Sequence, residues 1–152
     1  MRVHSSTDYA LRALIELVAP GNQVLSAETI GRRQNIPPRF LQAILADLHK
    51  AGLVDGVRGH GGGWRLSRDP STITVTEVVR ATNGPLVNVS GSPPEEGAYN
   101  PTTTALQSVW IAARSSLQDV FDTVTIRDLA DDTLPEHVRT RVRREEARHA
   151  AD

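Results

Sequence analysis

Four polar side chains draw attention by their type and spacing. Arg39 and Gln42 lie three positions apart, directly after the Pro37-Pro38 pair. Arg58 and His60 flank the first glycine of the run Arg58-Gly59-His60-Gly61-Gly62-Gly63. An arginine can bridge the O6 and N7 atoms of guanine with two parallel donors, and a glutamine amide can do the same for adenine. Glycines in a loop let backbone N–H groups approach phosphate oxygens closely. Together these residues suit recognition of double-stranded DNA, with one pair reading base edges and the other holding the backbone. The competing use of such glycines, a nucleotide-binding loop, requires G-x-x-x-x-G-K-[ST] ahead of a helix, and that pattern is missing.

The surrounding segments have the pattern needed to position these groups. Ser26 is placed to cap a helix, with Glu28 in its first turn favoured by the helix dipole. Ala27 and Ile30 point inward from it, and the chain turns at Asn35. Pro37 and Pro38 open a second helix, where a missing N–H costs nothing. Leu41, Ile44, Leu45 and Leu48 form its apolar stripe, which leaves Arg39, Gln42, Ala46 and His49 to face a partner. Gly52 closes that helix. Leu53, Val54 and Val57 read as a strand, and Trp64, Arg65 and Leu66 as its returning partner. Trp64 serves either as a wedge near the sugar-phosphate edge or as packing beneath the hairpin, and it is kept with the DNA-binding set. Helix, turn, helix and basic hairpin make the layout of a winged helix-turn-helix, with one helix in a major groove and the wing against the neighbouring backbone.

The predicted fold class is mainly α with a small β-hairpin wing (α+β), followed by a long C-terminal dimerisation helix. Residues 3–19 form the first helix, with Leu11, Leu14, Ile15 and Val18 on its apolar face and a break at Pro20-Gly21-Asn22. Thr74 and Glu77 form a T-x-x-E capping box for a short helix that ends at Asn83-Gly84-Pro85. From Leu86 to Pro101 the pattern is that of a loop. Leu106, Trp110, Ala113, Leu117, Val120 and Val124 then alternate four- and three-residue steps, the spacing of a helix–helix seam. A pair of such helices across a two-fold axis sets two reading heads ~34 Å apart, one DNA turn. Thr125 and Asp128 begin a last small helix, and the mixed-charge tail beyond Pro135 is expected to be frayed or disordered. The resulting division is a DNA-binding domain at 1–84, a regulatory or linker loop at 85–101, a dimerisation helix with a short terminal helix at 102–134, and a tail at 135–152.

Composition narrows the function. The 152 residues carry a net charge of −1, but residues 1–80 hold +3 and residues 81–152 hold −4, so the basic half contains the proposed reading head. There is no cysteine, which excludes disulfides and thiolate chemistry. No apolar run approaches a membrane span, so the expected setting is the cytoplasm, with no membrane partner. The five histidines are scattered outside H-x-x-x-H and H-E-x-x-H spacing, and no serine elbow or dinucleotide fingerprint occurs. An enzyme is not expected.

Three segments, MRVHSSTDYALRAL, IPPRFLQAILADLHKAGLV and VRGHGGGWRLSRDPSTITVTEVVRATNG, resemble the Rrf2 family of bacterial winged-helix regulators, of the IscR, NsrR and CymR type. The resemblance runs to about Leu134, and the R-G-x-G-G-G-[YW]-x-L wing is its most specific part. It implies a homodimeric transcription factor, usually a repressor, at a partly palindromic operator. It places DNA contacts at Pro38, Arg39, Phe40 and Gln42 and at Arg58, Gly59, His60 and Gly61. The iron-sulfur members carry cysteines in the loop where this chain has Val89 or Ser90, Thr104 and Gln107. Asp8 and Arg12 match the first-helix ligands of some relatives poorly. The reading is therefore a cysteine-free member with no metal and no cofactor. Tyr9, Arg12, Tyr99 and Trp110 are candidates for an effector pocket that takes a small molecule or a partner protein. The alternative function is a winged-helix adaptor that binds a partner protein or is controlled by a metabolic enzyme. Steep salt dependence distinguishes DNA binding from it.

Overall fold

The computed structural model describes residues 3–18 and 23–150. The expected break at Pro20-Gly21-Asn22 lies outside the described residues. The fold is mainly helical. Among the described residues it has seven α-helices and one antiparallel hairpin: α1 (Ser5–Leu17), α2 (Ala27–Gln34), α3 (Pro38–Lys50), β1 (Val54–Val57), β2 (Gly63–Leu66), α4 (Val75–Asn83), α5 (Thr104–Phe121), α6 (Ile126–Ala130) and α7 (Glu136–His149).

Local chemistry sets the element ends. The Ser26 hydroxyl accepts from the Thr29 N–H at 3.1 Å to begin α2, and Asn35 ends that helix in the left-handed region at φ 54°. At the end of α3 the Gly52 N–H reaches the His49 carbonyl and the Leu53 N–H reaches that of Leu48, at 2.9 Å each. This crossed pair is the Schellman closure, and Gly52 supplies the positive φ of 72° that it requires. Leu41, Ile44, Leu45 and Leu48 are all buried, so the inner face of α3 is the one its spacing indicates. On α1 the buried face is rotated from the expected stripe. Ala10, Ala13, Leu14 and Leu17 are in the core, Leu11 and Val18 are half-buried at its margin, and Ile15 lies outside it. Small alanines let α1 lie close to α3 and α4, a packing effect that a count of large apolar side chains misses.

Two capping boxes face each other. Thr74 and Glu77 open α4, Thr125 and Asp128 open α6, and both reciprocal bonds are present in each box. The two entrances pair antiparallel, with the Val75 N–H on the Val124 carbonyl at 3.0 Å and the Ile126 N–H on the Ile73 carbonyl at 2.9 Å. Ile126 thereby enters the main core. The expected 102–134 unit is thus redrawn, because residues 124–130 fold back into the winged domain rather than continuing a separate arm. Val124, expected in the long seam, lies beyond α5 and is buried in a second cluster with Val75, Val79, Leu86 and Val138.

The tail also departs from expectation. Residues 136–149 are not disordered but form α7. Val138 anchors the helix in the second cluster, and the His137 ring lies 3.0 Å from the Thr123 hydroxyl. Along its surface Glu136 pairs with Arg139 and Arg143, and Glu145 pairs with Arg148. Mixed charge looks like disorder when counted as composition. Spaced three and seven apart, the same charges fall on one face and support a helix.

Glu77 provides a pH test of the first capping box. Burial pushes its carboxyl up, but the Thr74 N–H and the Arg68 guanidinium more than offset this and hold it below the usual glutamate value. A lowered folded-state pKa contributes stability above the unfolded value, ~4.3 for glutamate, that is lost as pH falls through the folded one. Wild type should therefore lose melting temperature on acidification below about pH 5 faster than Glu77→Gln. Parallel acid limbs for the two proteins in thermal scans would exclude this role for Glu77.

Candidate nucleic-acid interface

The start of α3 and the wing present the residues singled out for DNA. Pro38, Arg39, Phe40 and Gln42 are all exposed at the N-terminal end of α3. Phe40 keeps 51% of its surface, unusual for an aromatic ring, and the Arg39 guanidinium rests 5.0 Å from its centroid. This cation–π contact holds Arg39 at the exposed N-terminal turn. Pro37 and Pro38 carry no N–H, so neither can donate to a phosphate from the start of the helix.

In the wing, Val54 pairs with Leu66, Asp55 with Arg65, Gly56 with Trp64, and Val57 with Gly63. Leu25 joins the hairpin by a single antiparallel bridge, exchanging backbone hydrogen bonds with Trp64 at 2.8 and 2.9 Å. A Cβ on Gly63 would collide with the Leu25 carbonyl, so glycine there is needed for backbone approach inside the fold. At the tip Gly59 and Gly61 take φ of 98° and 76°, and the Gly62 N–H closes onto the Gly59 carbonyl at 3.0 Å. Arg58, Gly59, His60 and Gly61 are all exposed at this turn. The glycine run thus has two uses, a fitted base and an open tip.

Trp64 is half-buried against the main core. Its ring meets His49 edge-on, with centroids 5.9 Å apart, and the His49 Nδ1–H donates to the Val54 carbonyl at 2.8 Å. His49 and Trp64 therefore fasten α3 to the wing. Of the two roles open to Trp64, packing beneath the hairpin describes its surroundings. His49, expected to be free for a partner, is engaged in that join.

The four residues grouped as an effector pocket do not converge. Tyr9 lines a cleft of about 330 Å³ between the start of α1 and α3, together with Ser5, Ser6 and Phe40. Arg12 pairs with Asp8 at 2.9 Å on the surface. Tyr99 lies over Gly97, its hydroxyl buried without a partner. Of the four, Trp110 alone lines the cavity beside the 85–90 segment, about 620 Å³, with Leu86, Val89, Ala113 and Leu117. Helical periodicity says which face a residue occupies, not which neighbouring element it meets, and Tyr9 turns toward α3. Its cleft adds Ser5 and Ser6 to the edge of the reading head. Their only sequence signal is a position at the start of a helix.

The 85–101 segment is less loop-like than expected. Val89 and Ser92 pair, Pro94–Glu96 make a 3₁₀ turn with Pro94 buried, and Glu95 forms a two-pronged salt bridge with Arg114 on α5. Gln107 donates to the Pro94 carbonyl at 3.0 Å. The donor set does not fit an iron-sulfur cluster. The chain has no thiolate, and among the described residues no three His, Asp or Glu side chains come together as a metal site. Across α5, Leu117, Val120 and Phe121 pack on the second cluster, while Leu106, Val109 and Trp110 remain 46, 56 and 37% exposed.

A helix-turn-helix with its outer helix face open, joined to a hairpin whose tip carries arginine and histidine, defines a winged-helix DNA-binding protein. The chain belongs to the Rrf2 family, described as iron-dependent transcriptional regulators, whose sequence pattern matches residues 3–132. It is a transcriptional regulator of that family and not an enzyme. A Mycobacterium tuberculosis protein named as a putative HTH-type transcriptional regulator, Rv1287, is 37% identical over 139 residues, covering 91% of this chain and 86% of that one. The solved structure of CymR, the global cysteine regulator of B. subtilis, superposes with a TM-score of 0.74 at 28% identity, covering 88% of this chain and 98% of that one. IscR of T. potens gives a TM-score of 0.69 at 29% identity, covering 87 and 88%. The family match ends at residue 132, ahead of α7.

Proposed function

We propose that this protein is a cytoplasmic homodimer that binds a partly palindromic operator in double-stranded DNA and represses transcription without an iron-sulfur cluster. Arg39 and Gln42, with Pro38 and Phe40, read the major groove. Arg58, Gly59, His60 and Gly61 hold the adjacent backbone. The observation that carries this reading is the two-sidedness of α3: its apolar face is fully committed to the core while its polar N-terminal turn is bare. Dimerisation uses the exposed upper part of α5, with Leu106, Trp110 and Ala113 central and Leu117 and Val120 at its anchored end. The boundaries that follow are a reading head at 3–84 completed by residues 124–130, a regulatory connection at 85–101, and α5 as the dimer element. An effector, small molecule or protein, acts through the connection between them.

The test is a gel-shift titration against the DNA upstream of its own gene, at two salt concentrations and with scrambled competitor. A dimer-sized complex that survives competitor is expected. Arg39→Ala should lose about 1–3 kcal/mol of discrimination between operator and scrambled DNA per half-site. Arg58→Ala should weaken both DNAs alike and lower the salt slope by roughly 0.9 for each phosphate that the variant no longer neutralises. Equal effects of both variants on both DNAs would remove the division between reading and holding. No complex even at low salt would transfer the reading to a protein-binding adaptor.

A further inference from the structure

On the face of the 85–93 segment away from Trp110 lies a second, polar cleft of about 240 Å³. Its walls are Arg80 near the end of α4, Arg114 and Gln118 on α5, and Asn88, with Pro85 and Pro93 at its margin. Two guanidiniums in one small cleft repel each other unless something negative lies between them. Glu95 neutralises Arg114 in part, binding through two of its N–H donors. A guanidinium has five such donors in a fixed fork, so Arg114 keeps three for another acceptor. Arg80, unlike Arg114 across the cleft, has no carboxylate within ion-pair distance among the described residues.

We propose that this cleft is an effector site for a small anion whose carboxylate or phosphate oxygens are shared between Arg80 and Arg114. The amides of Gln118 and Asn88 supply neutral hydrogen bonds around the charged end. The volume suits a molecule of a few carbon atoms rather than a nucleotide or a peptide. The C-terminal dipole of α4 opposes an anion, but that effect is weaker than a single charge-assisted hydrogen bond to either arginine. A bound anion would join α4, which is part of the reading head, to α5. Its use as a regulatory signal rests on the DNA-binding reading above. The binding does not.

Binding is therefore measured on the full chain without DNA, by calorimetric titration at low ionic strength. The probes are succinate, inorganic phosphate and the uncharged succinamide. Saturable binding of succinate or phosphate is expected, with succinamide silent. Succinate alone would mark a carboxylate ligand, and phosphate alone a phosphate ester. Arg80→Ala, an exposed position whose loss leaves the core intact, should weaken binding roughly tenfold or more. Arg139→Ala, a surface arginine on α7, should bind as wild type, and circular dichroism should show both variants folded. Failure of both anions to saturate, equal binding of succinamide, or an Arg80→Ala affinity close to wild type would each overturn the site. None of these would bear on DNA binding, which the gel shift reads separately.

Discussion

Truncating Ile126 to alanine is expected to lower the unfolding free energy of the whole chain by about 2–5 kcal/mol, the range for removing a large aliphatic side chain from a packed core. Ile126 has no exposed surface and packs in the same cluster as Leu14, Leu48 and Ile73, residues more than 50 positions earlier. Its N–H is committed to the Ile73 carbonyl, so the backbone cannot easily slide to fill the void. The cost should therefore lie near the upper part of that range. The chain has two tryptophans, Trp64 in the reading head and Trp110 on α5. In a Trp110→Phe background, urea unfolding followed by Trp64 fluorescence reports the head alone. With Ile126→Ala the midpoint of that signal should fall with an unchanged slope. A shift worth less than ~0.5 kcal/mol, the size of an ordinary surface substitution, would mean that α6 is not part of the head's core.

The packing of Ile126 also shows where the sequence could be read and where it could not. Thr125 and Asp128 carry a local signal, and the cap they predict is present. What they close onto is set by a partner 51 positions away, Thr74, and nothing local to either box indicates that the two meet. The reading head is legible because its signals are all short-range: a cap at Ser26, a turn at Asn35, prolines at a helix start, a glycine stop and a glycine hairpin. Its exposed residues were legible for the same reason, since a buried stripe on α3 fixes by exclusion which side faces out. The four effector candidates do not line one cavity, because chemistry alone joined residues from three elements. Tyr9, Arg12 and Tyr99 have suitable side chains but point to different neighbours. Arg80 and Arg114, which do share a cleft, are separated by the whole 85–101 segment, and each looks in sequence like an ordinary surface arginine. The helix at α7 was hidden for another reason. It rests on spaced ion pairs and one apolar anchor, Val138, and overall polarity gives such terms no weight.

A carboxylate placed at the centre of the α5 face should separate the proposed dimer without unfolding the monomer. Trp110 is the largest side chain on that face and keeps 37% of its surface exposed in the single chain. A tryptophan buries on the order of 150–250 Å² when fully covered, and a two-fold axis counts it twice. Loss of a central aromatic anchor typically costs ~2 kcal/mol or more, and an unpaired carboxylate in its place adds a desolvation penalty of at least similar size. Trp110→Glu should therefore weaken self-association by roughly 10³-fold or more, at about 1.4 kcal/mol per decade. Sedimentation velocity at micromolar concentration should show monomer for Trp110→Glu and dimer for wild type. Ser115→Glu, exposed on another side of α5, should remain dimeric. DNA affinity should fall with dimerisation, because a monomer holds one half-site and forfeits the second as an intramolecular contact. The competing role for Trp110 is to wall the cavity beside the 85–90 segment within its own chain. In that case Trp110→Glu would stay dimeric, and its melting temperature, not its association, would change. A dimeric Trp110→Glu protein with full operator affinity would remove α5 as the dimer element and leave the exposed row of Leu106, Val109 and Trp110 to some other partner.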